Sequence, residues 1–338
     1  MLYIRTDGNA VIGTGHVMRC LSIANACRRA GSDCTFITAD EHFKPLIDEQ
    51  GFRVICLNTV WNELDREIEQ MEKLIIDTGI KKLLVDSYFV TADYLSRLDK
   101  LTHIIYIDDL NEFTYPCSEL ICYNIFASKI DYPARYPNTK LLLGCHYAPL
   151  REEFQNIPKR VPRDDVQSVL ITTGGGDNYN IACKLVNMTQ KTPELSGVEV
   201  HIAVGRYYMY LDELNSLDNV YDNVTLHKDV KKMSHLMTSC DITVSAGGST
   251  LYELCACGSP TVAFTLADNQ FAGVEAFGDG YFINAGDIRE NEELCLKRIG
   301  EGIIRLASDY SIRSDFTRKG QELVDGRGAI RIAKEVMK

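Results

Sequence analysis

The chain lacks any apolar run that reaches the roughly 18 residues a membrane-spanning helix needs, and its opening residues carry charges and glycines where a secretory leader would be apolar. A cytoplasmic protein without a membrane span is therefore expected. Basic charge is also short: 36 Lys and Arg face 47 Asp and Glu, a formal net charge of -11. That balance repels a phosphate backbone and argues against nucleic acid as partner. It leaves room for a small anionic ligand held by local dipoles. The twelve cysteines include no C-x-x-C. Cys20 and Cys27 fall on one face of a helix, and Cys255 and Cys257 are spaced for neither a helix face nor a common zinc pair. Small buried thiols are expected, with no metal and no cofactor. Neither G-x-G-x-x-G nor G-x-x-x-x-G-K-[ST] occurs, which weakens dinucleotide and P-loop readings.

What is present is a regular alternation of strand and helix patterns. In the N-terminal half LYIRTD, CTFIT, FRVICL, KKLLVDS and HIIYIDD read as strands, and HVMRCLSIANACRRAG and NELDREIEQMEKLIIDTG as helices between them. A polar segment with two prolines, QNIPKRVPRDD, has the composition of a linker. The pattern then restarts with SVLITTGGG, VEVHIAVG, NVTLHK, DITVSAGG and PTVAFTL. A chain of 338 residues suits two domains of about 150 each. We expect an α/β protein of two Rossmann-like, doubly wound parallel-sheet domains facing a cleft. The expected divisions are an N-terminal domain over 1–150, a linker over 151–167, a second α/β domain over 168–310, and C-terminal helices over 311–338 that pack back on the first domain.

Open parallel sheets bind ligands beyond the carboxyl ends of their strands, and the two richest glycine loops lie there. After LYIRTD comes GNAVIGTGHVMR, with Gly13, Gly15 and His16 at the mouth of a helix. Small residues let a ligand approach the backbone, and a helix N-terminus disfavours a protonated imidazole, so a neutral His16 is a candidate general base. The alternative is a tight turn with His16 as a cap. After DITVSA, the residues Gly247, Gly248, Ser249 and Thr250 lead into a helix, offering N–H groups at its positive end as a pyrophosphate site. Glu253, one turn on, is placed to accept from ribose hydroxyls or to serve as a capping-box partner. LADNQ supplies Asp268, Asn269 and Gln270, of the type that bonds sugar hydroxyls, or simply a polar turn.

The motifs R-T-D-x-x-x-x-I-G-T-G-H-V-M-R, L-L-G-x-x-Y-A-P-L-R and S-A-G-G-S-T-L-Y-E followed by A-D-N-Q together resemble the UDP-sugar hydrolase of the pseudaminic acid pathway, over nearly the whole chain. More distantly, the layout is similar to the GT-B fold of glycosyltransferases. The resemblance implies metal-independent, inverting hydrolysis of UDP-2,4-diacetamido-2,4,6-trideoxy-β-L-altropyranose to UDP and free sugar, by a monomer with water as co-substrate. It implies His16 as catalytic base. Asp7, Gly13, Gly15, Arg19, Tyr88, Asn269 and Gln270 would bind the sugar side, and Gly175, Gly247, Gly248, Ser249, Thr250 and Glu253 the UDP. After IDDL the family continues with a basic, His-containing segment and D-x-N, whereas NEFTYPCSELICYN stands here, with Asn124 as the candidate replacement. That departure leaves the sugar open, and proteins of spore-coat polysaccharide formation share the N-terminal motif. Two other functions fit the same residues. One is a GT-B glycosyltransferase, disfavoured by the lack of a convincing apolar, basic-fringed patch in residues 1–110. The other is a non-catalytic nucleotide-sugar binding protein.

Overall fold

Parallel strands buried on both faces read as near-continuous runs of Ile, Leu and Val, because crossover helices cover the sheet from either side. In the computed structural model those runs form two all-parallel sheets, each in its own unit. The structure describes every residue except Ala10, Val11, Gly175, Gly176, Asn178, Arg206, Tyr207 and Asp279. One unit comprises Met1–Glu152 with Arg327–Lys338, and the other Glu153–Gly326.

The first unit holds β1 (Leu2–Thr6), β2 (Cys34–Thr38), β3 (Arg53–Cys56), β4 (Lys82–Asp86), β5 (His103–Ile107), β6 (Glu119–Cys122) and β7 (Lys140–Leu143). Their order is β3-β2-β1-β4-β5-β6-β7. The second holds β8 (Ser168–Thr172), β9 (Glu199–Val204), β10 (Val224–Lys228), β11 (Ile242–Ala246), β12 (Thr261–Thr265) and β13 (Ile283–Asp287), ordered β10-β9-β8-β11-β12-β13. Each sheet reverses direction of winding once, between β1 and β4 and between β8 and β11. The expected α/β, doubly wound, Rossmann-like class is therefore what the chain adopts. The crevice at such a reversal is where open α/β sheets take ligands. Strands β6, β7 and β13 are additions to the sequence pattern. They are four or five residues long, and the glycine at 286 interrupts the last.

The expected helix over NELDREIEQMEKLIIDTG begins with a 3₁₀ turn, Leu64–Glu67, before the α-helix Ile68–Thr78. Gly79 closes it in the left-handed conformation at φ 65°. The helix Tyr310–Leu323 belongs to the second unit, where Gly320 lets it lie on the helix Thr250–Cys257: a Cβ there would stand 3.2 Å from Cys255 Cα. The helix Gly328–Val336 belongs to the first unit and packs on the helix Gly15–Arg29. Its buried stripe is Ala329, Ile332, Ala333 and Val336, and burying a side chain such as Ile332 is worth about 1.5–3 kcal/mol. Lys82 Nζ donates to Val336 O at 2.7 Å and fastens the helix end. All twelve cysteines are free thiols, eleven of them buried.

Candidate active site

The register of the first sheet pairs Thr6 with Asp86, so β1 and β4 end side by side. The helix that follows β1 starts at Gly15 and carries His16, Arg19 and Cys20 at positions i, i+3 and i+4, which share one helical face. All three meet Asp86. His16 Nδ1 is 2.6 Å from Asp86 Oδ1, Arg19 Nε donates to Asp86 Oδ2 at 2.6 Å and Arg19 Nη2 to Oδ1 at 2.5 Å, and the Cys20 thiol donates to Oδ2 at 3.3 Å.

Burial on its own would raise the pKa of Asp86, but Arg19 and His16 overcome it and hold the carboxyl well below the usual carboxylate range. An ionised carboxylate only accepts hydrogen bonds, so the short contact to His16 requires the proton on Nδ1. Arg19 Nη2, 3.0 Å from the same nitrogen, has no lone pair and does not compete for that proton. A neutral His16 thus carries its lone pair on Nε2. That atom is buried and has no hydrogen-bond partner among the described residues. Carboxylate, imidazole and a free basic nitrogen form the arrangement of an oriented general base.

Arg19 is the hub of this network. Its Nη1 also pairs with Asp109 and donates to the Tyr123 hydroxyl at 2.6 Å. Asp109 follows β5 and accepts from Asn124 Nδ2 at 3.0 Å. The Tyr88 ring meets His16 edge to face, with centroids 4.3 Å apart, and its hydroxyl lies 3.5 Å from Asp109 Oδ2. His16, Arg19, Tyr88 and Asn124 are thereby brought together. Asp86, Asp109 and Tyr123 join them without having been picked out from sequence. A signal was available, since β4 and β5 both run into aspartate at their carboxyl ends (VDS, IDD).

Asp7 is engaged elsewhere. It pairs with Arg5 and accepts the Ala39 N–H at 2.7 Å. Arg5 is itself clamped by Glu67 at 2.6 and 3.0 Å, and Tyr94 and Thr59 also bond Glu67. This buried ion cluster ties β1 to the segment after β3. Gly13 turns the loop at φ 72° through reciprocal backbone bonds with Asn9, and a Cβ on Gly15 would meet nothing within 4 Å, so the helix start is open there.

In the second unit, β8 and β11 are neighbours, and β11 leads through Gly247 and Gly248 to Ser249 and the helix Thr250–Cys257. The two glycines differ. A Cβ on Gly247 would stand 2.2 Å from Val274 Cγ2, whereas one on Gly248 would meet nothing within 4 Å. Gly247 lets the helix Asp268–Gly278 close on the loop, and Gly248 leaves the surface clear. The Gly248 N–H is spent on Ala246 O at 3.0 Å. Those of Ser249 and Thr250 stand at the helix start without a hydrogen-bond partner among the described residues, and the Ser249 side chain makes no cap bond. Glu253 sits half-buried in the first turn. Asn269 is exposed on the first turn of the helix Asp268–Gly278, while Gln270 turns its Oε1 to the Leu266 N–H at 2.9 Å. Gly175 lies outside the described residues. Among the described residues no group of three or more His, Cys, Asp or Glu is placed to hold a metal ion, and no helix is long and apolar enough to cross a membrane.

No protein-family model matches the chain. It is 27% identical over 274 residues to an uncharacterized protein of Methanocaldococcus jannaschii, covering 77% of this chain but 54% of that protein. It is 23% identical to the spore coat polysaccharide biosynthesis protein SpsG of Bacillus subtilis, covering 97% and 95% of the two chains. Among solved structures it is similar to Acinetobacter baumannii MurG, with TM-score 0.67, 10% identity and 99% and 98% of the two chains covered. It is likewise similar to the UDP-GlcNAc 2-epimerase of Neisseria meningitidis bound to UDP-GlcNAc, with TM-score 0.66, 13% identity and 100% and 99% covered. The chain thus has a GT-B-like fold, with two parallel sheets of seven and six strands, and is a distant relative of SpsG.

Proposed function

We propose that the chain hydrolyses a UDP-linked sugar to UDP and the free sugar, with His16 as general base. The observation that carries this reading is the His16 and Asp86 pair, which fixes the Nδ1 proton and leaves Nε2 without a partner among the described residues. The water oxygen bonds to the anomeric carbon as its proton passes to His16 Nε2. The anomeric C–O bond breaks with its electron pair on the β-phosphate oxygen, and attack opposite the leaving group inverts the centre. Ser249 and Thr250 N–H groups and the dipole of their helix stabilise the departing diphosphate, so that a strong acid is not needed. A base of this kind contributes on the order of 10²- to 10⁴-fold.

The substrate we favour is a UDP-linked diacetamido-trideoxy-hexose of nonulosonic (pseudaminic) acid synthesis, on the strength of the N-terminal and S-A-G-G-S-T-L-Y-E motifs. Binding of a UDP-sugar is in keeping with the ligand of the Neisseria epimerase, a protein of the same fold. A glycosyltransferase is the second reading. SpsG is described as a polysaccharide biosynthesis protein, and His16 would serve an acceptor hydroxyl as well as water. Incubation with a panel of UDP-sugars and no acceptor, with UDP and free sugar scored by mass spectrometry, separates the two. Steady turnover supports hydrolysis. UDP-sugar that stays intact until an acceptor alcohol is added supports transfer.

A further inference from the structure

The crossover from β3 to β4 is the one that spans the winding reversal of the first sheet. β3 is the edge strand and β4 lies three strand spacings away, roughly 14 Å. The segment leaving β3 begins by bonding at the carboxyl end of β2: Leu57 N donates to Thr38 O and Thr59 N to Ala39 O, both at 2.9 Å. The same segment presents Val60, 44% exposed, and Trp61, half-buried. Trp61 meets the ring of Phe89 edge to face at 5.1 Å. Phe89 is the neighbour of Tyr88 in the turn after β4, and Tyr88 packs on His16 at 4.3 Å. Phe89 packs on the core of the first unit, whereas Trp61 does not join that cluster. A large, half-buried aromatic ring is thus carried to the ligand end of the sheet and held there against Phe89.

We propose that Trp61 and Phe89 form an apolar wall of the sugar site beside His16, selecting hexoses that present methyl or other C–H surface over fully hydroxylated ones. The inference rests on the reading of His16 as the base of a UDP-sugar enzyme. The chemistry is that of aromatic faces, which give up little on losing water and pack against C–H groups, while hydroxyls facing them would lose hydrogen bonds to water.

Trp61 is the single tryptophan of the chain, so emission excited selectively in the indole band, beyond tyrosine absorption, reports on this wall. The test uses the full chain carrying His16→Asn, to bind without turnover, titrated with UDP and with the UDP-linked 6-deoxy diacetamido sugar while calorimetry follows binding. The expected result is that both ligands bind and only the sugar nucleotide shifts the Trp61 emission to the blue. If both bind and the emission responds alike to each, or to neither, the wall is wrong while the UDP-sugar reading stands. If calorimetry shows no binding of either ligand, the UDP-sugar reading falls and the wall with it. In the wild-type background Trp61→Ala is expected to raise KM for the deoxy sugar about threefold to tenfold with kcat nearly kept, and Trp61→Phe to restore it. A KM unchanged in a Trp61→Ala protein with wild-type circular dichroism overturns the proposal.

Discussion

His16 and Asp86 meet through Nδ1 and Oδ1 at 2.6 Å, although 70 residues separate them in the chain. The contact settles which ring nitrogen bears the proton, and hence which one is basic. Replacing His16 by Ala removes the proposed base and changes no residue of the second unit. Turnover should fall about 10²- to 10⁴-fold with UDP affinity by calorimetry within error of wild type. Activity within a few-fold of wild type would remove His16 from the chemistry.

Asp86→Asn tests the orientation separately. The carboxamide can turn its NH₂ toward Nδ1, which then accepts and forces the proton onto Nε2. The expected loss is again about 10²- to 10⁴-fold in kcat with His16 still in place. The neutral side chain also leaves buried Arg19 short of one counter-charge, so urea denaturation should show a cost of about 3–5 kcal/mol at neutral pH.

The pH dependence of that cost has a definite sign. Asp86 is held below its ordinary range in the folded protein, so its stabilising contribution is complete above the unfolded pKa of about 3.9 and is lost as pH falls from there through the lower folded value. The stability gap between wild type and Asp86→Asn should therefore be constant from neutral pH down to about 5 and narrow below about 4. A gap that stays constant in urea titrations on descending to acid would refute the ionised Asp86.

The two glycines after β11 separate folding from binding. Gly247→Ala would drive a methyl into Val274, and overpacking of that kind costs about 1–3 kcal/mol. Gly248→Ala meets open space and should change stability by less than about 0.5 kcal/mol. UDP affinity is the readout that counts for Gly248: the methyl should weaken it if the diphosphate lies against this loop. Affinity and stability both unchanged would take the diphosphate away from Gly248.

The strands and the glycine loops were legible because hydrophobic period and turn residues are local signals. The partners of His16 were not. Tyr88 stood out in VDSYF, but Asp86, two residues earlier, is recognised only once β4 is known to lie beside β1. Asp7 and Asp86 look alike in sequence, since each closes a strand. Their surroundings divide them: Asp7 is taken by Arg5 and the Ala39 N–H, and Asp86 by Arg19 and His16. Gln270 likewise spends its Oε1 on the Leu266 N–H, which no spacing rule foretells. Trp61 carries no sequence signal, because a lone aromatic in a polar loop has no periodicity, and its place at the ligand end of the sheet follows from the strand order together with the bonds that Leu57 and Thr59 make at the end of β2.

The helix Gly328–Val336 has a consequence for how the protein is made. Its buried stripe covers the very helix that carries His16 and Arg19, yet it is synthesised after every residue of the second unit. Domains usually fold from the amino end as they emerge during translation. Here the second sheet can mature first, while the first waits, with one flank of the His16 helix bare, for residues 327–338 to leave the ribosome.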